Sequence, residues 1–121
     1  VLNLFMLSNE LLQLINDCKE RFEGLEKKPE KTEEYFFTKV KPAFEFGMNK
    51  AKLWESLAEA WVKEQKPKYI HLTQIESAIE HIEQIILQSF YNDINNQRFH
   101  NLYNSIEYIL KSILSEEQTI S

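Results

Sequence analysis

The sequence predicts an all-α protein, an up-down-up-down four-helix bundle with an extra short helix in the connection between the first and second long helices. Three observations point there. Apolar residues return at alternating three and four residue steps in four separate segments, the spacing that lays one stripe along one side of an α-helix. Every Gly and Pro lies between Gly24 and Pro67. The connections between the striped segments are short, which favours antiparallel neighbours around a shared core.

The first stripe runs Leu4, Leu7, Leu11, Ile15, Cys18, Phe22, Leu25. Ser8 or Asn9 offers a cap ahead of Glu10, so the first helix is placed at 8–26 and residues 1–7 at a frayed end. Gly24 and the run Lys27 to Lys31 around Pro29 stop it, because Pro29 has no backbone N–H and restricts its predecessor. Thr32 before Glu33 and Glu34 has the form of a fresh N-cap with acids in the first turn, predicting a short helix over 33–41. Pro42 and Gly47 bracket Ala43-Phe44-Glu45-Phe46, read as irregular. Asn49 caps the second long helix, with Leu53, Trp54, Leu57, Ala58 and Trp61 on its core face and its end before Lys66-Pro67.

Thr73 and Glu76 have capping-box spacing, and Ile75, Ile79, Ile82, Ile86 and Phe90 form the third stripe over 73–92. Asn92 to Asn96 marks a turn, and Phe99, Leu102, Ile106, Ile109 and Ile113 form the fourth stripe before a tail, 115–121, expected to fray. In this topology segment 27–48 belongs at the bundle end shared with the 92–97 turn, where Tyr35, Phe36, Phe37, Phe44 and Phe46 would form a roof. The 65–72 loop belongs at the opposite end, beside both chain termini.

At 121 residues and 43% hydrophobic, the chain is expected to be one domain, 1–121, that buries its core without disulfides or metal. Its net charge of -5 argues against a general nucleic-acid binder, which is basic over much of one face. The single cysteine, Cys18, sits in an apolar stripe, pointing to a packing role in a reducing compartment, with the cytoplasm as the expected location. The apolar start, Val1 to Leu7, lacks the basic lead and small-residue cleavage site of a secretion signal. Charges interrupt every stripe before a membrane helix's run of about 20 apolar residues, so no membrane association is expected.

A carboxylate metal bundle needs Glu-x-x-His pairs, but the residues three before His71, His81 and His100 are Lys68, Ala78 and Gln97. No metal or cofactor is therefore expected, nor any catalytic residue, since no nucleophile has a visible base partner and no Gly-rich phosphate loop is present. Glu76, Glu80 and Glu83 read as a solvated ridge, and Glu59 with Lys63 as an ordinary i, i+4 pair. Trp54 and Trp61 read as core whose indole N–H groups need partners, or, with Phe44, as the lining of a ligand cavity. Tyr35-Phe36-Phe37 cannot all face inward on one helix, so at least one ring is exposed or covered by 43–47. Lys66 to His71 puts cation, aromatic and imidazole on a loop between rigid helices, as a recognition surface, or as a connection in which Pro67 stops the helix and Tyr69 and Ile70 plug the bundle end.

Tyr35-Phe36-Phe37 with Lys41-Pro42, Trp54, Pro67-Lys68-Tyr69-Ile70-His71 leading to Gln74-Ile75-Glu76, Leu87-Gln88-Ser89, and Arg98-Phe99 together resemble the YppE-like family of small cytoplasmic proteins of low-GC Gram-positive bacteria. The resemblance covers nearly the whole chain and implies a four-helix bundle without an assigned activity. The leading expectation is a non-enzymatic interaction or adaptor protein that meets an unidentified protein partner through a bundle end, using Tyr35, Lys68, Tyr69, His71 and Arg98. The alternative is a small-molecule-binding bundle with a cavity lined by Phe44, Trp54 and Trp61. A third reading, an enzyme built on His71, His81 or His100, requires two of them within hydrogen-bond reach of each other or of a buried Glu.

Overall fold

The computed structural model describes the backbone of residues 3–120 and the side chains of residues 3–116. Four long helices, α1 (Leu4–Gly24), α3 (Lys41–Gln65), α4 (Leu72–Tyr91) and α5 (Asn96–Ile120), run alternately up and down, and a short α2 (Glu33–Tyr35) leads into α3. Around the bundle α1 packs on α3 and α5, α4 packs on the same two, and α1 meets α4 across the diagonal. Aromatic contacts pin the ends together. Phe5 meets Trp61 edge-on at 6.3 Å, setting the start of α1 beside the end of α3. Phe22 stacks on Phe99 at 3.9 Å, setting the end of α1 beside the start of α5.

The stripes of α1, α4 and α5 fill the core as their spacing predicts, from Leu7, Leu11 and Ile15 to Ile75, Ile82 and Ile86 and on to Phe99, Ile106 and Ile113. Trp54 is wholly buried, and its indole N–H donates to the Ser8 hydroxyl at 2.9 Å, the partner that a buried indole requires. On α3 the buried line is Gly47, Met48, Ala51, Trp54, Ala58 and Val62. Leu53 is 50% exposed, so its expected place on the core face is corrected; Leu57 and Trp61 are half-buried.

Several boundaries also differ from expectation. Asn3 caps α1, its side chain accepting from the Met6 N–H at 2.7 Å, so residues 4–7 form the first turn of the helix and Leu4 and Leu7 are buried rather than frayed. Val1 and Leu2 lie outside the described residues. The backbone of α5 stays helical to Ile120, past the point where fraying is expected; Ser121 lies outside the described residues. The start of α4 is capped not by Thr73 and Glu76 but two residues earlier, where Gln74 Oε1 accepts from the His71 N–H at 2.6 Å. Lys66 (φ 48°) and Asn92 (φ 53°) take the left-handed conformation that ends α3 and α4, the role more often filled by Gly.

The largest correction concerns residues 33–48. Thr32 does cap a helix, its hydroxyl accepting from the Tyr35 N–H at 3.0 Å. That helix does not stop, however: α2 passes through one π-helical turn, Phe36–Val40, directly into α3. Within a regular α-helix Pro42 would leave the Thr38 carbonyl unbonded and set its ring against it. A single wide turn, closed by the Lys41 N–H on the Phe36 carbonyl, accommodates the ring and lets the helix continue. The expected irregular piece at 43–47 is thus helical. Gly47 is no breaker but a point of close helix packing: a Cβ there would lie 2.6 Å from Ile86 Cδ1 and 3.3 Å from Leu14 Cδ1.

Candidate functional site

The five residues singled out for a contact surface divide between two ends of the bundle, separated by the length of α4, about 30 Å for its 20 residues. Tyr35 and Arg98 lie at one end and Lys68, Tyr69 and His71 at the other, so the structure does not bring them together.

Tyr35 proves to be a structural latch. Its hydroxyl donates to the Phe90 carbonyl at 3.1 Å and its ring lies edge-on to Phe90 and Tyr91, tying the end of α2 to the end of α4. Lys31 and Asp93, 2.6 Å apart, reinforce the same junction. Segment 28–35 therefore does sit beside the 92–97 turn, but the roof is only partial. Phe36, Phe37 and Phe46 face solvent, and residues 40–48 run along the bundle side against α1 and α4. The Arg98 N–H donates to the Asn95 side chain at 2.8 Å, part of the α5 cap, while its side chain is exposed. Gln88 accepts from the Asp93 N–H at 2.7 Å and secures the turn.

At the opposite end Ile70 plugs the core, being 2% exposed, whereas Tyr69 is 68% exposed and plugs nothing. The Lys68 ammonium lies 5.2 Å from the centre of the Tyr69 ring. His71 is exposed at the start of α4.

Phe44, Trp54 and Trp61 do not converge on a cavity. Trp54 is sealed in the core, Trp61 packs on Phe5, and Phe44 is half-buried against the core on its own. The histidines stand apart as well. His100 faces the Asn96 carbonyl at 2.8 Å and Glu23, an exposed residue, at 3.1 Å. His81 lies in a cleft of about 350 Å³ between α4 and α5 with Ser77, Ser105 and Tyr108, its Nδ1 buried without a protein partner. Among the described residues no group of three or more His, Cys, Asp or Glu is placed to hold a metal ion. No described helix is long and apolar enough to cross a membrane.

Two features escaped the sequence reading. The first is a set of exposed rings each covered by a cation. Phe37 is 56% exposed with the Lys41 ammonium 5.3 Å from its centre, and Phe46 is 63% exposed with Lys50 at 4.8 Å. Phe36, in edge contact with Phe37, and Leu53, seven residues beyond Phe46 and so on the same line of α3, extend this apolar surface. Residues 36–53 carry four lysines to one glutamate in a chain whose net charge is -5, so the surface is basic on an acidic protein. A run of lysines at irregular spacing is visible in the sequence, but which rings point outward depends on the register set by the π-helical turn.

The second is a cleft of about 420 Å³ between α1 and α3, floored by Leu14, Ala43, Phe46 and Ile86 and walled by Glu10, Gln13, Asp17, Cys18, Arg21 and Lys50. Arg21 donates to the Ser89 hydroxyl at 2.8 Å and stacks 4.2 Å over the Phe90 ring; Ser89 is fully buried and donates in turn to the Ile86 carbonyl at 2.7 Å. The Cys18 thiol is pushed up by burial, an effect opposed by the nearby Arg21 charge. Lys50 pairs with Glu10 at 3.1 Å.

Comparison with known proteins places this architecture. Residues 8–116 match the model of a family described as a bacterial domain of unknown function, DUF1798, and the chain belongs to that family. It is 33% identical over 81 residues to the uncharacterized protein YppE of Bacillus subtilis (strain 168), a match covering 67% of this chain and 66%, just under two thirds, of that protein. The crystal structure of yppE from Bacillus subtilis superposes with a TM-score of 0.83 at 25% identity, covering 93% of this chain and 90% of the other. A crystal structure of a protein of unknown function from Listeria innocua shares the fold, with a TM-score of 0.86 at 21% identity over 98% of this chain and 95% of the other. The resemblance read from the sequence is thereby established, as is the all-α bundle it implies.

Proposed function

We propose that this member of the DUF1798 family is a non-enzymatic interaction module of the bacterial cytoplasm, and that it binds an acidic, partly apolar segment of a protein partner through the exposed side chains of the π-helical turn and the first half of α3. The observation that carries this reading is the pairing of exposed rings with lysines, Phe37 under Lys41 and Phe46 under Lys50, on a basic stretch of an acidic chain. Exposed apolar patches of this kind mark contact surfaces, and flanking positive charge selects and steers an acidic partner. The surface lies along a bundle side rather than at a bundle end. Tyr69 under Lys68 repeats the pairing at the far end and is a separate, smaller patch.

A photo-crosslinking residue in place of Phe37, introduced in the native cell, tests the proposal. The expected result is an adduct with an acidic protein that disappears when the exposed Lys39 and Lys52 are changed to Glu. An adduct that survives the charge reversal, a nuclease-sensitive adduct, or none would overturn it.

A further inference from the structure

From the α1/α3 cleft we infer a second binding site, adjoining the basic aromatic surface at Phe46 and Lys50, for a small amphipathic carboxylate whose head group docks on Arg21 and whose apolar body lies on Leu14, Ala43, Phe46 and Ile86. The cleft's volume of about 420 Å³ falls within the range of small-molecule sites, roughly 300–1,000 Å³, and its lining combines apolar side chains with a few charged ones.

The argument turns on Arg21. Its guanidinium is held in place by Ser89 below and the Phe90 ring beside it, so it is positioned before any ligand arrives. One terminal nitrogen donates to Ser89 and, at 4.0 Å, to the Cys18 sulfur, which leaves the N–H groups of the other two nitrogens of the guanidinium. Among the described residues no carboxylate forms an ion pair with it. Of the other charges on the wall, Glu10 pairs with Lys50 at 3.1 Å, and Asp17, one turn from Arg21 along α1, accepts from the Gln13 amide at 2.9 Å. A half-buried cation whose fork of donors faces a cleft matches a planar carboxylate, which takes two parallel hydrogen bonds from it. The hydrophobic floor selects for an aliphatic or aromatic body attached to that head.

The floor is also built rather than incidental. Gly47 lets α3 approach Ile86 and Leu14, two of the lining residues, and the helical conformation of 43–47 places Ala43, with its small side chain, where a bulkier residue would fill the space.

Titration of the ¹⁵N-labelled protein with sodium octanoate, and in parallel with 1-octanol, decides the matter. Saturable shifts of the amides of Leu14, Ala43, Phe46 and Ile86 and of the Arg21 side chain are expected with octanoate. Octanol, which lacks the charge, should bind at least about ten-fold more weakly, as should octanoate to Arg21→Gln, because a charge-assisted hydrogen bond is lost in each case. Ala43→Leu, which fills the cleft without touching Arg21, should abolish the shifts and keeps the test decisive if Arg21→Gln does not fold. Shifts that fail to saturate or scatter over the surface, equal binding of octanol, undiminished binding by folded Arg21→Gln, or undiminished binding by Ala43→Leu would overturn the assignment.

Discussion

Replacing Gly47 with alanine sets two effects of opposite sign against each other, and the structure decides between them. In a helix interior the exchange favours the folded state by roughly 0.5–1 kcal/mol, since Gly has more backbone freedom to lose on folding. The new methyl group, however, would stand 2.6 Å from Ile86 Cδ1 and 3.3 Å from Leu14 Cδ1, and Ile86 is itself 2% exposed. Relief requires Ile86 to leave its rotamer or α3 to move outward, and such overpacking typically costs about 1–3 kcal/mol. The overpacking term wins, leaving Gly47→Ala about 1 kcal/mol less stable than the wild type, within a range from near zero to about 2. The second half of the test removes the clashing atom. Ile86→Val alone costs about 0.5–1.5 kcal/mol by deleting Cδ1, but in its background Gly47→Ala should become neutral or stabilising. Urea denaturation of the four proteins yields the coupling directly, provided the slope of stability against denaturant is unchanged. If Gly47→Ala stabilises the otherwise unaltered protein by the full helix-propensity gain, or if the two substitutions are additive, the close approach of α3 to α4 has been misjudged.

Three further outcomes are expected. Ser8→Ala leaves the Trp54 indole N–H buried without an acceptor and should cost about 1–3 kcal/mol in chemical denaturation; a loss below a few tenths would mean that the bond contributes nothing. Tyr35→Phe removes the hydroxyl bonded to the Phe90 carbonyl while keeping the ring contacts, for an expected cost of about 0.5–1.5 kcal/mol and faster amide exchange over residues 32–36. Stability should also fall in alkali. Burial is the leading cause that raises the pKa of Cys18, Tyr35 and Tyr103, with the Glu107 carboxylate adding to the effect on Tyr103, so each holds its proton to higher pH in the folded state than in the unfolded one. The unfolded chain then binds fewer protons, and stability declines as pH rises above about 8.5 for the thiol and about 10 for the phenols. Thermal melts from pH 7 to pH 11 would show this, and Tyr103→Phe should flatten the upper part of the curve.

How much of the candidate sites was legible follows the same division between local and non-local causes. Residues such as Tyr35, His71 and Arg98 drew attention because aromatic, imidazole and guanidinium groups near turns are common in recognition surfaces. The structure engages the Tyr35 side chain and the backbone N–H groups of His71 and Arg98 in the hydrogen bonds that close helix ends. Arg21, by contrast, stands in the last turn of α1 with no motif around it. Its significance comes from Ser89 and Phe90, 68 and 69 positions away in the chain, which no local spacing reveals. Phe46 is expected in an irregular roof, yet it is one of the most exposed rings of the described residues and part of the lining of the α1/α3 cleft.

What the sequence by itself determined is the fold class, the stripes of α1, α4 and α5, and the Thr32 cap, because helical periodicity and end-capping act over three or four residues and are written in consecutive positions. What only the tertiary structure decided is the fate of residues 36–53. Read locally, Pro42 and Gly47 are punctuation. In the bundle, a single π-helical turn takes up the proline, and the glycine supplies the missing volume that lets α3 rest against Leu14 and Ile86. That choice continues the helix through 43–47, with Trp54 and Ala58 inward as their spacing predicts and Phe46 and Leu53 outward. It is made by packing between helices far apart in the chain, where the free energy of filling a shared core outweighs the local preferences of two residues.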